Sequence, residues 1–454
     1  MPDRSMPENA STILTRLREG KVRFVRVVWC DNGNVIRGKA IHIDALTRQL
    51  EGGETVAVGL SAAQQAIPVV ADAVAPGSGL GPVGEVWLVP DWKTLQMLPY
   101  APGQARALGE MVKDGQPWPW CSRQFLKRMV QRAGDRGLTI KAAFEPEFYL
   151  LKQRDQDIFP ADNMPFAASL AMDLHQEVVM AIADALSAQG MAVEQYYPES
   201  GPGQQEISVR YTDALAAADQ QVVYRETVKA IAHQHGLVAS FVPKLFESCA
   251  GSGCHLHLSL WEGEQNLMPD GAGGLSETAR SFTAGLLHHL PALMAITTPS
   301  PNSYRRLQPH SWSGAYAAWG MDNREAALRV PSNFSLPSPT HLELKTVDGA
   351  ANPYLALGGA IAAGLDGIAQ GYSLPEPVQQ DPGSLSEEER GDRGIALLPQ
   401  SLAESLAALE TNSLLLDALG EPLAKTYLAV RRAELAAMAD MTLEAEVELL
   451  RDRY

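Results

Sequence analysis

Three strings in this chain place carboxylates where a cation would be needed to hold them. In Glu145-Pro146-Glu147 two acids flank a proline inside an otherwise apolar stretch, residues 142–151. On an extended backbone both point to one face, about 6.5–7 Å apart, because side chains alternate with period two. Like charges on one sheet face repel unless a cation sits among them or water covers the face. In the second string Gln204, Glu206, Ser208 and Arg210 alternate along residues 204–211, with Glu199 just upstream in a Pro- and Gly-rich turn. In the third, Glu343 and Lys345 share one face of residues 341–346 while Leu342 and Leu344 take the other; His255 and His257 likewise share a face of residues 254–260. Five glutamates and a histidine on converging strands suit hard divalent cations with a nucleotide phosphate as co-ligand.

The basic complement is concentrated in one stretch. It runs from Asn302-Ser303-Tyr304-Arg305-Arg306 through Asp322-Asn323-Arg324 to Arg329, beside Gly- and Pro-rich loops. A lone arginine usually pairs with a surface carboxylate, but several together suggest a clamp on phosphate and carboxylate oxygens. Acids for metal plus arginines for oxyanions point to phosphoryl transfer. Two other patterns mislead. Residues 33–39 fit the first seven positions of a P-loop, yet Ala40 stands where a magnesium-binding hydroxyl belongs and no helix starts there. Cys249, Cys254, His255 and His257 suggest zinc, but neighbours on a strand point to opposite faces, so Cys254 and His255 do not share an ion.

The elements that must carry these groups are legible in outline. Residues 21–30 and 35–43 around the turn 31–34 read as a hairpin, and a strand is expected near residues 85–89. Ser122 is placed as the N-cap of a helix ending before the stretch Gly134 to Gly137. Single helices are expected at about 169–189, with Leu170, Leu174, Val178, Ile182 and Leu186 on the buried face, and at about 213–235. Extended stretches are expected at 138–151, 192–197, 204–211, 237–241, 254–260 and 341–346. Residues 375–400 read as a surface excursion, and the tail from Leu402 as helical. Strands interleaved with helices over some 330 residues indicate one catalytic body.

Composition bounds the partners. The 454 residues are 46% hydrophobic and 20% charged, which supplies a core and excludes a disordered chain. Acids outnumber bases 53 to 37, a net charge of −16 that repels nucleic acid and anionic membrane. Four cysteines form no disulfide framework, the polar opening at residues 1–4 has no signal-peptide core, and no long apolar run spans a membrane. A cytoplasmic protein is expected.

In this order the motifs resemble the glutamine synthetase family, over essentially the whole chain. Glu145-Pro146-Glu147 resembles its Glu-x-Glu, and Glu199 with Gly203-Gln204-Gln205-Glu206 its second metal-binding pair. Residues 251–257 resemble the Gly-Ser-Gly-x-His-x-His loop, Asn302 to Arg306 and Asn323-Arg324-Glu325 the arginine motifs, and Glu343 with Ala351-Asn352-Pro353-Tyr354 the closing signature. The resemblance implies an α+β fold: a β-grasp N-terminal domain (1–110) and a catalytic α/β domain (111–454) on a curved antiparallel sheet. It implies two to three Mg²⁺ or Mn²⁺ per site, one held by Glu147, Glu199 and Glu206, another by Glu145, His255 and Glu343. Glu194, His257 and Ser259 match nucleotide-contacting positions. Arg306 and Gly251 match the glutamate site, and Arg324 and Arg329 the phosphate clamp. The implied reaction phosphorylates the γ-carboxylate of L-glutamate with ATP, then lets an amine displace phosphate. The implied assembly is a homododecamer of two stacked rings with active sites between subunits.

The chain departs from the ammonia-using pattern. Trp312 stands where the flap usually carries glutamate, and Val58-Gly59-Leu60-Ser61 lacks the usual latch acid. Lys345 replaces an arginine, keeping the charge and losing bidentate geometry, and Ala250 replaces an asparagine. Residues 374–400 contain no tyrosine for regulation. This pattern is similar to the FluG/nodulin-like and γ-glutamylamide-forming branches. It implies an organic amine as second substrate, with Trp312 and Lys345 beside it, because an aromatic wall covers an apolar group better than it holds ammonium. The alternatives are a working glutamine synthetase in which Trp312 only packs the flap, and a non-catalytic relative that kept the fold.

Overall fold

The computed structural model describes residues 9–155, 157–334 and 340–454; the polar opening at residues 1–4 lies outside them. Two sheets organise the chain. The first contains β1 (Phe24–Cys30), β2 (Ile36–His42), β3 (Val58–Ser61), β4 (Glu85–Met97), β5 (Gln104–Lys113) and β6 (Gln116–Pro117). Its order is β2-β1-β5-β4-β3 with β6 on β5, antiparallel except for the central β1–β5 pair. The β1–β2 pair is the hairpin expected from the turn at 31–34, with the false P-loop lying in that turn and in β2.

The second sheet has eleven strands, and its spine is the long β7 (Thr139–Arg154). The others are β8 (Asp157–Pro160), β9 (Val193–Pro198), β10 (Gln204–Val209), β11 (Thr212–Asp213), β12 (Val238–Ser240), β13 (Cys254–Glu262), β14 (Gln265–Asn266), β15 (Tyr316–Met321), β16 (Ala326–Val330) and β17 (Leu342–Leu344). The main path is β15-β16-β17-β13-β7-β10-β9, antiparallel apart from the parallel β15–β16 pair. Helices Ser122–Gly134, Ala214–Gln234, Glu277–Thr297 and Pro353–Gln370 close one face, burying Phe144, Leu256, Leu258 and Leu344. Strand alternation then leaves Glu145, His255, His257 and Glu343 on the opposite face, where the chemistry is.

Local chemistry corrected two expectations. The helix expected at 169–189 is two, Ser169–Leu174 and Gln176–Ala188, broken at His175. His175 Nε2 lies 2.6 Å from the buried Asp162 Oδ2, and its backbone leaves the helical region there. Val178, Ile182 and Leu186 remain buried, but Leu170 and Leu174 are 53% and 56% exposed, because the break takes them off that face. At the other site Cys121, not Ser122, occupies the N-cap position, while Ser122 Oγ donates to the Cys30 carbonyl at 3.2 Å. The tail is helical as expected, and residues 375–400 run over β15, tucking in Val378, Leu385 and Ile395. Among the described residues no helix is long and apolar enough to cross a membrane.

Candidate active site

Register brings the acids together. Glu145 and Glu147 both lie on β7, but Glu145 pairs with His255 of β13 and Glu147 with Glu206 of β10. On β17, Glu343 pairs with His257 on one side and Arg329 of β16 on the other. Two clusters follow. The ligand atoms of Glu145, His255 and Glu343 lie within 4.8 Å of one another, and so do those of Glu147, Glu199 and Glu206. These are the six residues picked out as metal-ligating, grouped in the two expected trios.

The electrostatics of the trios differ. Burial opposes ionisation of Glu145, yet the imidazoles of His257 and His255 outweigh it and hold its carboxyl well below the usual range. Burial likewise opposes ionisation of Glu343, where Lys345 and His255 prevail. In the other trio burial, reinforced by Glu145, Glu147 and Glu199, pushes Glu206 up to about 11. Burial and then Glu199 raise Glu147 too, although Gly253 N–H donates to its Oε2 at 2.9 Å and the Gln204 amide at 3.1 Å. A trio of oxygens that must retain a proton when empty is a donor set for a hard divalent cation, which replaces that proton. The residues present fit such an ion.

The arginines show a complementary deficit. Arg306 is buried; its Nη2 donates to the Lys345 carbonyl at 3.0 Å, but Nη1 has no partner. Arg329 lies 2.9 Å from Glu343, and its buried Nε is also unpartnered. Unused buried guanidinium donors invite an anion. The glycines beside them are spatially required. A Cβ at Gly251 would lie 2.6 Å from Arg306 Cγ, and one at Gly253 2.6 Å from His255 Nε2.

Not every expected residue converges on the trios. His257 does, its Nε2 3.2 Å from Glu145 Oε2. Ser259 follows on the same face of β13 and accepts from Trp261 Nε1 at 2.8 Å. Glu194 instead forms an exposed pair with Arg210 at 2.6 Å, outside both trios. Arg324 is exposed, its guanidinium 5.9 Å from the Trp312 ring centroid. Trp312 itself is 55% exposed with φ 56°, and its N–H donates to Glu325 Oε1 at 3.0 Å. Lys345 is buried with Nζ 3.4 Å from Glu343. Cys254 takes the Gln221 amide on the face away from His255, and among the described residues no cysteine joins a metal-like group.

Sequence reading overlooked several groups. Tyr197 Oη donates to Glu199 at 2.6 Å, and the buried Asp348 lies close enough to lend its charge to Arg306. Glu325 was visible beside Arg324, but nothing in the string signals that it is buried under the flap. Asp162, which fixes the turn carrying Glu199 through the Gly203 N–H at 3.0 Å, carries no local signal at all.

Comparison with known proteins adds an independent line. Residues 119–450 match the family model for the glutamine synthetase catalytic domain, and residues 9–118 that for the glutamine synthetase N-terminal domain. The chain is 38% identical to a gamma-glutamylpolyamine synthetase, GlnA3, of Streptomyces coelicolor, over 98% of this chain and 97% of that one. It is 33% identical to type-1 glutamine synthetase 1 of Dictyostelium discoideum, over 96% and 90%. Among solved structures, a complex described as GmaS with ADP superposes with a TM-score of 0.84 at 29% identity, covering 98% of this chain and 99% of that one.

Proposed function

We infer the reaction from one premise: the chain belongs to the glutamine synthetase family and is an ATP-dependent ligase acting on glutamate. Its second substrate, in our reading, is an organic amine, and the product a γ-glutamylamide. The observation that carries this choice is Trp312, a half-exposed indole that offers the second substrate an apolar wall. Burying even three methylenes against it contributes about 2 kcal/mol, enough to favour an alkylamine over abundant ammonia. The name of the Streptomyces relative, a polyamine-using synthetase, supports the same choice.

We assign the roles as the family resemblance implies them, with the two trios and the unpartnered arginine donors in support. Glu147, Glu199 and Glu206 would hold one ion, and Glu145, His255 and Glu343 another; Mg²⁺ or Mn²⁺ there supplies positive charge for the transferring phosphoryl group. Arg306, with Gly251 clearing its path, offers Nη1 to the carboxylate of L-glutamate. Arg329 and Arg324 take phosphate oxygens, and Lys345 adds charge beside Glu343. His257, Ser259 and Glu194 face the nucleotide. The γ-carboxylate oxygen of glutamate attacks the terminal phosphorus of ATP and ADP leaves. The amine then displaces phosphate from the γ-carboxyl carbon. We take the active species to be a homo-oligomer, two stacked rings of six with sites between neighbours. Mass photometry of a fully active monomer would exclude it.

The deciding experiment measures phosphate release with ATP, glutamate and Mg²⁺ across ammonia, alkylamines, polyamines and anilines. An organic amine should give the highest kcat/KM. If ammonia does, the enzyme is a glutamine synthetase and Trp312 only packs the flap.

A further inference from the structure

One carboxylate at the flap has half its hydrogen-bonding capacity unused. Glu325 sits in the turn between β15 and β16, its own N–H held by Asn323 Oδ1 at 3.0 Å. It is only 8% exposed. Oε1 accepts the Trp312 N–H, while Oε2 takes no hydrogen bond from any described residue. Glu325 also forms no ion pair among the described residues, although a buried carboxylate without a cation is costly.

The charged groups around it are committed elsewhere. His310 Nδ1 lies 2.6 Å from Asp381 Oδ2, and Lys345 Nζ faces Glu343. Both are near enough to favour the ionised Glu325, and Asp381 opposes it, but burial prevails and raises its pKa. That suits a proton acceptor more than a permanent anion. The position is specific as well. His310 and Trp312 both adopt positive φ, 60° and 56°, a left-handed conformation that non-glycine residues rarely hold without support. The bond to Oε1 supports it at Trp312, so the carboxylate with the open oxygen is tied to the backbone of the residue that walls the amine site.

We propose that Glu325 receives the incoming amine, binding its ammonium on Oε2 and removing one proton from it before attack. The inference rests on the γ-glutamyl phosphate reading above, but not on which amine is used, since ammonium and alkylammonium carry the same charge. The proton passes from nitrogen to Oε2 and frees the lone pair. The nitrogen then bonds to the carbonyl carbon of the γ-carboxyl group, and that carbon's bond to the phosphate oxygen breaks with its electron pair going to phosphate. The second excess proton on nitrogen leaves with the phosphate, and Glu325 returns its own to solvent. The indole covers the apolar part of the amine while the carboxylate bonded to its backbone takes the charged end, so two adjoining loops read the two ends.

The test is Glu325→Gln, which keeps an oxygen for the Trp312 N–H and removes the charge and the base. Wild type and variant are compared on the best cationic amine, or on ammonium if that is the only one used, and on hydroxylamine, which is largely uncharged at neutral pH. The variant should lose about a hundredfold in kcat/KM with the cationic amine and stay within about threefold with hydroxylamine, at unchanged KM for glutamate. Equal losses with both nucleophiles would make Glu325 a mere support for the flap and overturn the proposal, as would retained activity with the cationic amine. A wild type that forms no hydroxamate at all would instead defeat the ligase chemistry on which the inference rests.

Discussion

Glu206 shows how much of this site is a conflict of charges awaiting a cation. Its folded pKa, about 11, lies far above the ordinary carboxyl value of about 4.3. In ion-free protein the group is protonated when folded. Stability is therefore lost progressively as pH rises above about 4.3, and the loss continues toward pH 11. Adding Mg²⁺ to chelated protein should raise Tm more at about pH 9 than at about pH 6, since the ion replaces a proton that is harder to keep at high pH. Glu206→Gln should flatten both dependences and abolish ligation. A Tm increment that does not change with pH would count against the trio as a cation site. Trp312 offers a second check: Trp312→Glu should move the kcat/KM ratio toward ammonia by at least about tenfold, roughly 1.4 kcal/mol. A smaller shift would make it packing. The six residues were legible because strand period and acid spacing are local facts, whereas their division into two trios came from the family resemblance. Glu325, Asp348 and Asp162 were not, since each owes its role to burial by distant segments.

Among elements, two long helices stayed hidden. Although Ser276 and Asn352 cap them, Glu277–Thr297 and Pro353–Gln370 passed unnoticed. Both are buried on nearly every side, and a helix apolar all round shows no 3.6-residue stripe to read. Glycines at 285, 358, 359, 364 and 367 hid them further, because glycine lowers helix propensity. The structure gives the reason for two of these. A Cβ at Gly367 would lie 2.1 Å from the Ser281 carbonyl oxygen, and one at Gly285 2.3 Å from that of Ala363. The two helices cross backbone to backbone, and the crossing leaves no room for a methyl group. Gly367→Ala gains about 1 kcal/mol of intrinsic helix propensity yet must push rigid backbone apart, at about 1–3 kcal/mol or more. Thermal unfolding should show a lowered Tm. A raised one would mean that the helices separate freely. Packing of this kind fixes β13 and β17 against the helices, and so the spacing of His255 and Glu343.

For the whole molecule the question is what joins the two sheets into one body. Strand β1 serves both: Val25, Val27 and Trp29 belong to the N-terminal core, while Val28 and Cys30 pack into the catalytic one. Its turn is pinned from below. Asn352, the cap of Pro353–Gln370, donates to the Asp31 carbonyl at 2.9 Å, Tyr454 Oη to that of Gly33 at 3.1 Å, and Asn34 to that of Gly349 at 2.9 Å. At the centre Arg431, fully buried, donates to the carbonyls of Asn32 and Pro299 and pairs with Glu434, which in turn accepts the Val69 N–H at 2.7 Å. Burial pushes Glu434 up to about 7 even though Arg431 pulls it down. Because that value exceeds the ordinary 4.3 or so, ionising Glu434 costs stability from about pH 4.3 to about pH 7, and the cost then levels off. Arg431→Met removes the restraining charge, so the folded pKa rises further and the loss continues above pH 7. Arg431→Met should therefore destabilise the protein by about 3–5 kcal/mol at neutral pH, by a margin that widens from about pH 7 to about pH 9. Adding Glu434→Gln, which keeps an acceptor for Val69, should remove the widening but not the loss of the carbonyl contacts. Denaturant unfolding of the three proteins across that range decides it: a margin constant with pH would show that Arg431 holds the sheets together through its carbonyl bonds alone.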